Sequence, residues 1–138
     1  MTNDAARPTI LIVAPWTGEA SSAAIVEALG EGGLAVECVA SAADCLQVLR
    51  RVTPDAVVVE RQLPDSDEWE LVRVLKSVAA TRAAPIIAVT ADDARRHVER
   101  AFVVGCEAFL VRPFEPEVLL LQLRRLLRQS KGPAPQIG

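Results

Sequence analysis

Short runs of apolar, mostly β-branched residues alternate along this chain with longer stretches in which apolar residues recur every three or four positions. The short runs are typical of strands and the longer stretches of amphipathic helices. Strands are predicted over residues 9–13, 35–39, 56–59, 85–90 and 107–111. Helices are predicted over residues 19–30, 68–78, 92–105 and 116–129, and a further helix is predicted to begin after a cap at Ser41.

The third strand indicates how the sheet is built. Its run AVVV lacks any alternation of apolar and polar residues, as is typical of a strand buried on both faces of a parallel sheet. Parallel strands need a crossover, which is usually a helix and is right-handed. Five strand–helix units therefore predict a doubly wound α/β domain, although periodicity alone does not give the strand order.

The composition fits one soluble domain. The chain has 138 residues, of which 51% are hydrophobic and 24% charged, and no apolar run is long enough to cross a bilayer. The start, MTNDAARP, does not resemble a secretion signal, so we expect a cytoplasmic protein with no membrane partner. We expect a disordered N-terminus over 1–8, the domain over 9–129, and over 130–138 a flexible tail or the start of a linker.

Charge and cysteine usage exclude several classes of site. The net charge is −3 with both signs interleaved, which argues against direct binding of nucleic acid. We interpret the basic cluster at Arg124, Arg125, Arg128 and Lys131 as a solvated last helical turn. The cysteines, which have no paired spacing, are expected to be buried thiols, and His97 is expected at the surface. They are Cys38, Cys45 and Cys106.

Three phrases carry a resemblance to a known family. They are PDAVVVERQLPDSDEWELVRVLK, PIIAVTA and GCEAFLVRPFEPEVL, and in order and separation they resemble the receiver domain of response regulators from about residue 9 to 129. The resemblance implies a flavodoxin-like (βα)5 fold with strand order 2-1-3-4-5 and a site at the carboxyl ends of the strands. It also implies phosphoryl transfer from a histidine kinase to an aspartate after the third strand, with Mg²⁺ held by an acidic pair after the first.

The chain departs from the family pattern at most of these positions. The acidic pair corresponds to Ala14 and Pro15, the phosphoacceptor to Glu60, and the family lysine to Arg112. Methyl and pyrrolidine groups offer no ligand, and Glu60 alone, even with the backbone carbonyl of Gln62, makes a poor magnesium site. We therefore expect no bound metal, no cofactor and no ordinary phosphoacceptor activity.

Two family positions are kept, and a third residue adjoins the predicted pocket. The hydroxyl position is Thr90, and the switch aromatic is Phe109, for which we expect an inward, apolar placement. Trp16 follows the missing acidic pair, where it either packs over the pocket or forms an exposed contact; we favour packing. Trp69 is expected in the core.

Glu60 and Arg112 suggest a replacement for the switchable site. A guanidinium can bind a carboxylate through two parallel hydrogen bonds, which an ammonium cannot do. Our hypothesis is that this pair fixes the pocket in one arrangement that partly imitates phosphorylation. The alternative is that both residues are tolerated relics.

The last helix is richer in leucine than one buried stripe requires. Val118 and Leu121, flanked by Arg125, point away from the core stripe. Excess apolar surface on a helix often marks a partner. The resemblance implies signalling through the face of the fourth helix, fifth strand and fifth helix, so we predict a homodimer or a docked output domain there.

Three functions of different classes remain open. The first is a non-enzymatic, phosphorylation-independent signalling or interaction module. The second is an active receiver with an unusual acceptor such as Glu60 or Asp65. The third is a small-molecule binder on the same fold; FMN is unsupported, because APWTGEAS lacks a glycine-rich phosphate loop.

Overall fold

The computed structural model describes residues 7–16, 20–66 and 69–130, with the backbone alone at residues 20 and 21. Its strands are β1 (Thr9–Val13), β2 (Ala35–Val39), β3 (Ala56–Glu60), β4 (Ile86–Thr90) and β5 (Ala108–Val111). Its helices are α1 (Ala20–Glu31), α2 (Ala42–Val48), α3 (Glu70–Ser77), α4 (Arg95–Val104) and α5 (Pro116–Ser130).

The strands form one parallel sheet in the order β2-β1-β3-β4-β5, which confirms the predicted flavodoxin-like topology. In the register, Val13 lies beside Val59, Glu60 beside Val89, and Thr90 beside Val111. The carboxyl ends of the strands therefore meet at one edge, where side chains from four different strand ends can come together.

A hydrophobic core lies on each side of the sheet. Ile10, Ile12 and Val58 pack with the inner faces of α1 and α5, and Leu11 and Val57 pack with α2, α3 and α4. All five residues of β3 are buried, as the absence of alternation predicts. The sheet that ends at the carboxyl edge is therefore packed against a hydrophobic core on each of its two faces.

The start of α4 differs from the prediction. The helix begins at Arg95 because the Asp92 carboxylate accepts a hydrogen bond from the Ala94 amide at 3.0 Å, which makes a turn before the helix. The predicted start of α3 at residue 68 lies outside the described residues. Residues 1–6 and 131–138, on which the predicted tails depend, lie outside them as well.

Two expectations about single side chains are wrong. Cys45 and Cys106 are buried, and burial raises the pKa of each thiol to about 12, but Cys38 is exposed because β2 is an edge strand. His97, expected at the surface, is buried because it shares the inward face of α4 with Ala101, four residues further on. No helix in the described ranges has the length and apolar character needed to span a membrane.

Candidate functional site

Glu60 is the centre of the polar site at the carboxyl edge. It ends β3, and its side chain is only 4% exposed. One oxygen, Oε1, accepts hydrogen bonds from Trp16 Nε1 at 2.8 Å and from Arg112 Nε at 2.9 Å. The predicted Glu60–Arg112 pair is therefore present in the structure, joined by one hydrogen bond at Nε where two parallel bonds had been considered.

Trp16 packs over the pocket, as favoured from the sequence. It is 6% exposed and belongs to the hydrophobic core shared with α1 and α5. Its ring lies 5.7 Å from the Arg112 guanidinium carbon, within the range of a cation–π contact. The indole thus holds both members of the pair, one through a hydrogen bond and the other through its ring face.

The two residues directly after β1 contribute no side-chain oxygen to this site. Ala14 is buried, and its backbone amide donates to Val39 O at 3.0 Å. Pro15 is exposed. The side chain of Gln62 is also exposed, and within the described chain no hydrogen bond joins it to Glu60.

Thr90 is engaged by a residue that the sequence analysis missed. Arg61 is 6% exposed, and its Nε donates to Thr90 Oγ1 at 3.1 Å; the Asp92 amide donates to the same hydroxyl oxygen at 3.1 Å. The sequence did contain a signal for Arg61, which is its position directly after a strand buried on both faces. A guanidinium that is buried there requires hydrogen-bond partners. The Thr90 hydroxyl is thus part of a bonded group distinct from Glu60.

The bonded group continues from Asp92 into α4. Asp92 Oδ2 lies 3.3 Å from His97 Nε2 and 3.9 Å from Arg61 Nη2. The pKa of Asp92 is below its ordinary value, mainly because its carboxylate accepts the Ala94 hydrogen bond, and further because His97 and Arg61 are near. These contacts connect the loop after β4 to the inward face of α4.

The aromatic residues lie where the sequence predicted. Trp69 is 2% exposed, and its Nε1 donates to the His97 backbone carbonyl at 3.2 Å. Phe109 is partly buried in the same core and meets Trp69 edge to face, with ring centroids 6.4 Å apart. Phe109 therefore has the inward, apolar placement that was expected for it.

Asp65, considered as an alternative acceptor, caps a helix. Its two carboxylate oxygens accept hydrogen bonds from the Ala42 and Ala43 amides at 2.8 and 2.9 Å. These bonds lower the pKa of Asp65. The acid therefore stabilises the N-terminus of α2, although it lies close to α3 in the sequence.

The Mg²⁺ that the resemblance implies would have to bind among the residues at this edge of the sheet. Magnesium needs several oxygen ligands, usually carboxylates together with waters and phosphate. Ala14 and Pro15 supply none, and Oε1 of Glu60 already accepts two N–H donors. Across the described residues, no group of three or more His, Cys, Asp or Glu side chains is placed to hold a metal. The described side chains do not fit a magnesium site.

A patch of exposed apolar side chains lies at the β5 edge of the sheet. Because β5 is an edge strand with α4 and α5 on its two sides, the outer surfaces of these three elements adjoin. We call this patch the α4–β5–α5 face and define it by Phe102, Val111, Val118 and Leu121, which are 47%, 37%, 39% and 64% exposed. Arg125 is exposed one turn beyond Leu121 and donates to Gln122.

Comparisons with known proteins agree with the family resemblance noted in the sequence. Residues 18–124 match the family described as the response regulator receiver domain. The chain is 29% identical over 106 residues to the transcriptional regulatory protein CusR of Escherichia coli, covering 77% of this chain and 46% of CusR. It is 32% identical over 103 residues to the response regulator MprA of Mycobacterium leprae, covering 75% of this chain and 44% of MprA.

A solved structure is similar over almost its whole length. It is the receiver domain of the sensor histidine kinase PA1611 from Pseudomonas aeruginosa, with a magnesium ion coordinated in its active site cleft. The TM-score is 0.75 and the identity 25%, and the match covers 88% of this chain and 98% of that one. By contrast, this chain spans less than half the length of the two curated relatives.

Proposed function

This chain belongs to the response regulator receiver domain family, and from that premise we propose that it is a non-enzymatic signalling module whose protein contacts do not depend on phosphorylation. One observation carries the proposal: Oε1 of Glu60, at the phosphoacceptor position, accepts hydrogen bonds from both Trp16 and Arg112. The carboxylate that would have to attack an incoming phosphoryl group is held in a bonded cluster.

The chemistry of phosphoryl transfer supports the proposal. Transfer depends on neutralising the charge of the moving group and on holding it in line with its acceptor. Ala14 and Pro15, the two residues directly after β1, carry no side-chain oxygen that could bind a metal. The Thr90 hydroxyl accepts hydrogen bonds from the Arg61 side chain and the Asp92 amide. Glu60 also carries one methylene more than aspartate, which moves its oxygens relative to Thr90.

An active receiver with an unusual acceptor is the alternative. Asp65 is a poor acceptor in this arrangement, because each of its oxygens holds a backbone amide of α2. For Glu60 to act, a carboxylate whose Oε1 already accepts hydrogen bonds from Trp16 and Arg112 would have to attack the phosphoryl group. Ala14 and Pro15 offer no ligand for a metal that would help to neutralise that group. The contacts therefore favour the phosphorylation-independent module.

The α4–β5–α5 face is the proposed contact surface. Four large apolar side chains exposed on adjoining elements suit a protein partner, and neither nucleic acid nor a membrane is proposed. The partner at this face is a signalling component, an output domain or a second copy of this chain. The two curated relatives are more than twice as long as the matched segment, so a receiver of this kind can occur beside further domains.

Acetyl phosphate and beryllofluoride test the proposal directly. The protein is incubated with Mg²⁺ and each reagent, and the intact mass and the NMR signals of the two indole N–H groups are followed. We expect no mass adduct and no saturable shift. A conventional receiver treated in parallel should gain a phosphoryl adduct and show saturable shifts of its own amide signals. A stoichiometric adduct would overturn the proposal. The acceptor would then be the residue whose substitution, Glu60→Gln or Asp65→Ala, removes the adduct.

A further inference from the structure

A cleft of about 420 Å³ opens beside the Glu60–Arg112 pair. It lies between α1 and the segments that follow β1, β4 and β5, and this volume is typical of sites for small organic molecules. Its described walls are mostly apolar and partly aromatic. Six of the lining residues are Trp16, Ala24, Ile25, Arg112, Pro113 and Phe114.

Arg112 is the charged side chain of the described lining. Its Nε is held by Glu60 and its guanidinium lies near the Trp16 ring, so the group is oriented before any ligand arrives. The side chain is 36% exposed, and its two terminal amino groups make no hydrogen bond to any described residue. The cleft therefore offers two charged donors at the border of an apolar wall.

We propose that this cleft binds a small aromatic monocarboxylate. The mostly apolar and partly aromatic wall suits an aromatic ring, and the terminal amino groups of Arg112 suit a carboxylate. A dianion such as phosphate fits less well, because Glu60 already places one negative charge on the same guanidinium. The inference rests on the cleft itself and is independent of whether the protein contacts require phosphorylation.

Indole NMR signals provide a test with an internal control. The probe is 2-naphthoate, titrated into the uniformly ¹⁵N-labelled chain. Trp16 lines the cleft, whereas Trp69 lies in the core on the other side of the sheet. We expect a saturable shift of the Trp16 indole N–H with the Trp69 signal unchanged. The neutral 2-naphthamide and inorganic phosphate should each bind at least about tenfold more weakly.

Two substitutions locate the binding. Arg112→Gln removes the charged donors and should weaken naphthoate binding by about tenfold or more. Since this variant leaves Glu60 without its partner, a second one leaves the pair intact: Ala24→Phe fills the cleft from α1 and should abolish binding. Ala23→Phe is the matched control, because Ala23 is the exposed neighbour on the same helix and does not line the cleft.

Several results would contradict the proposal. One is the absence of a saturable Trp16 shift up to the solubility limit of naphthoate. Another is equal affinity for the amide or for phosphate, which would show that the carboxylate of the ligand is not recognised as a monoanion. Unchanged binding in Ala24→Phe would place the ligand elsewhere.

Discussion

Glu60 joins three segments of the chain through one carboxylate. Trp16 comes from the loop after β1 and Arg112 from the end of β5, and each donates to Oε1. The Glu60–Arg112 pair was predicted from the family resemblance, in which the two residues take the positions of the phosphoacceptor and the lysine. The resemblance did not predict that the indole shares the same oxygen, because that geometry depends on where the loop after β1 folds back.

Glu60→Gln should lower the free energy of unfolding by about 1–2 kcal/mol. Glutamine retains an acceptor for the two donors but removes the charge that offsets the Arg112 guanidinium. Urea unfolding measures the change. Glu37→Gln is the matched control, because Glu37 pairs with Arg51 at the surface and should change stability by less than about 0.5 kcal/mol. Equal effects in the two variants would refute a structural role for the buried pair and favour the relic interpretation.

Thr90→Val should destabilise the fold by about 1–3 kcal/mol. Valine has nearly the same shape but leaves Arg61 Nε and the Asp92 amide without their acceptor. Thr90→Ser keeps the hydroxyl and should lose much less. Thermal and urea unfolding of both variants check this, and a Thr90→Val protein as stable as Thr90→Ser would mean that the hydroxyl is dispensable for the fold.

At the scale of elements, the predictable boundaries are those fixed by the chain's own periodicity. β1 and β2 span the predicted residues, because turn residues and helix caps border their apolar runs. The start of α4 was not predictable in this way, since the Asp92 carboxylate competes for a backbone amide. Only part of the capping of α2 was predictable. Local spacing predicted the cap at Ser41, but it did not predict Asp65, which accepts a hydrogen bond from the Ala42 amide, 23 residues away in the sequence.

Asp65→Ala should weaken α2 and make stability less dependent on acid pH. The folded pKa of Asp65 lies below its ordinary value of 3.8, so its stabilisation is present above that value and is lost as pH falls through the folded pKa. We expect a lower urea midpoint at neutral pH, with the difference from the parent chain shrinking below about pH 4. Asp93→Ala, which replaces an exposed acid, should follow the parent at every pH. A constant difference across the acid range would contradict the capping role.

At the scale of the whole molecule, a parallel sheet covered on both faces follows from a few local patterns, but its strand order does not. The run AVVV predicted a strand buried on both faces, and the family resemblance supplied the order that periodicity could not. The Arg61–Thr90–Asp92–His97 contacts were missed, because they depend on the angle at which α4 meets the loop after β4. Long-range polar contacts of this kind leave no fixed spacing in a sequence.

Leu121→Asp tests the α4–β5–α5 face as a dimer interface. Leu121 is 64% exposed, so a charge there should leave the monomer folded but weaken self-association by at least about tenfold. Analytical ultracentrifugation measures the dimer dissociation constant. Leu46→Asp is the matched control, because Leu46 is 42% exposed on α2 and lies outside this face. A parent chain that stays monomeric at high concentration would exclude the homodimer and leave the output domain as the candidate partner.

The shared Oε1 contact bears on how such a protein could be regulated in time. A receiver that is phosphorylated keeps its active form only as long as the acyl phosphate survives hydrolysis. Two nitrogen donors on one carboxylate oxygen form with the fold and last as long as the fold lasts. On the function proposed above, such a protein would carry no built-in timer, and its synthesis and degradation would set how strong its output is and how long it persists.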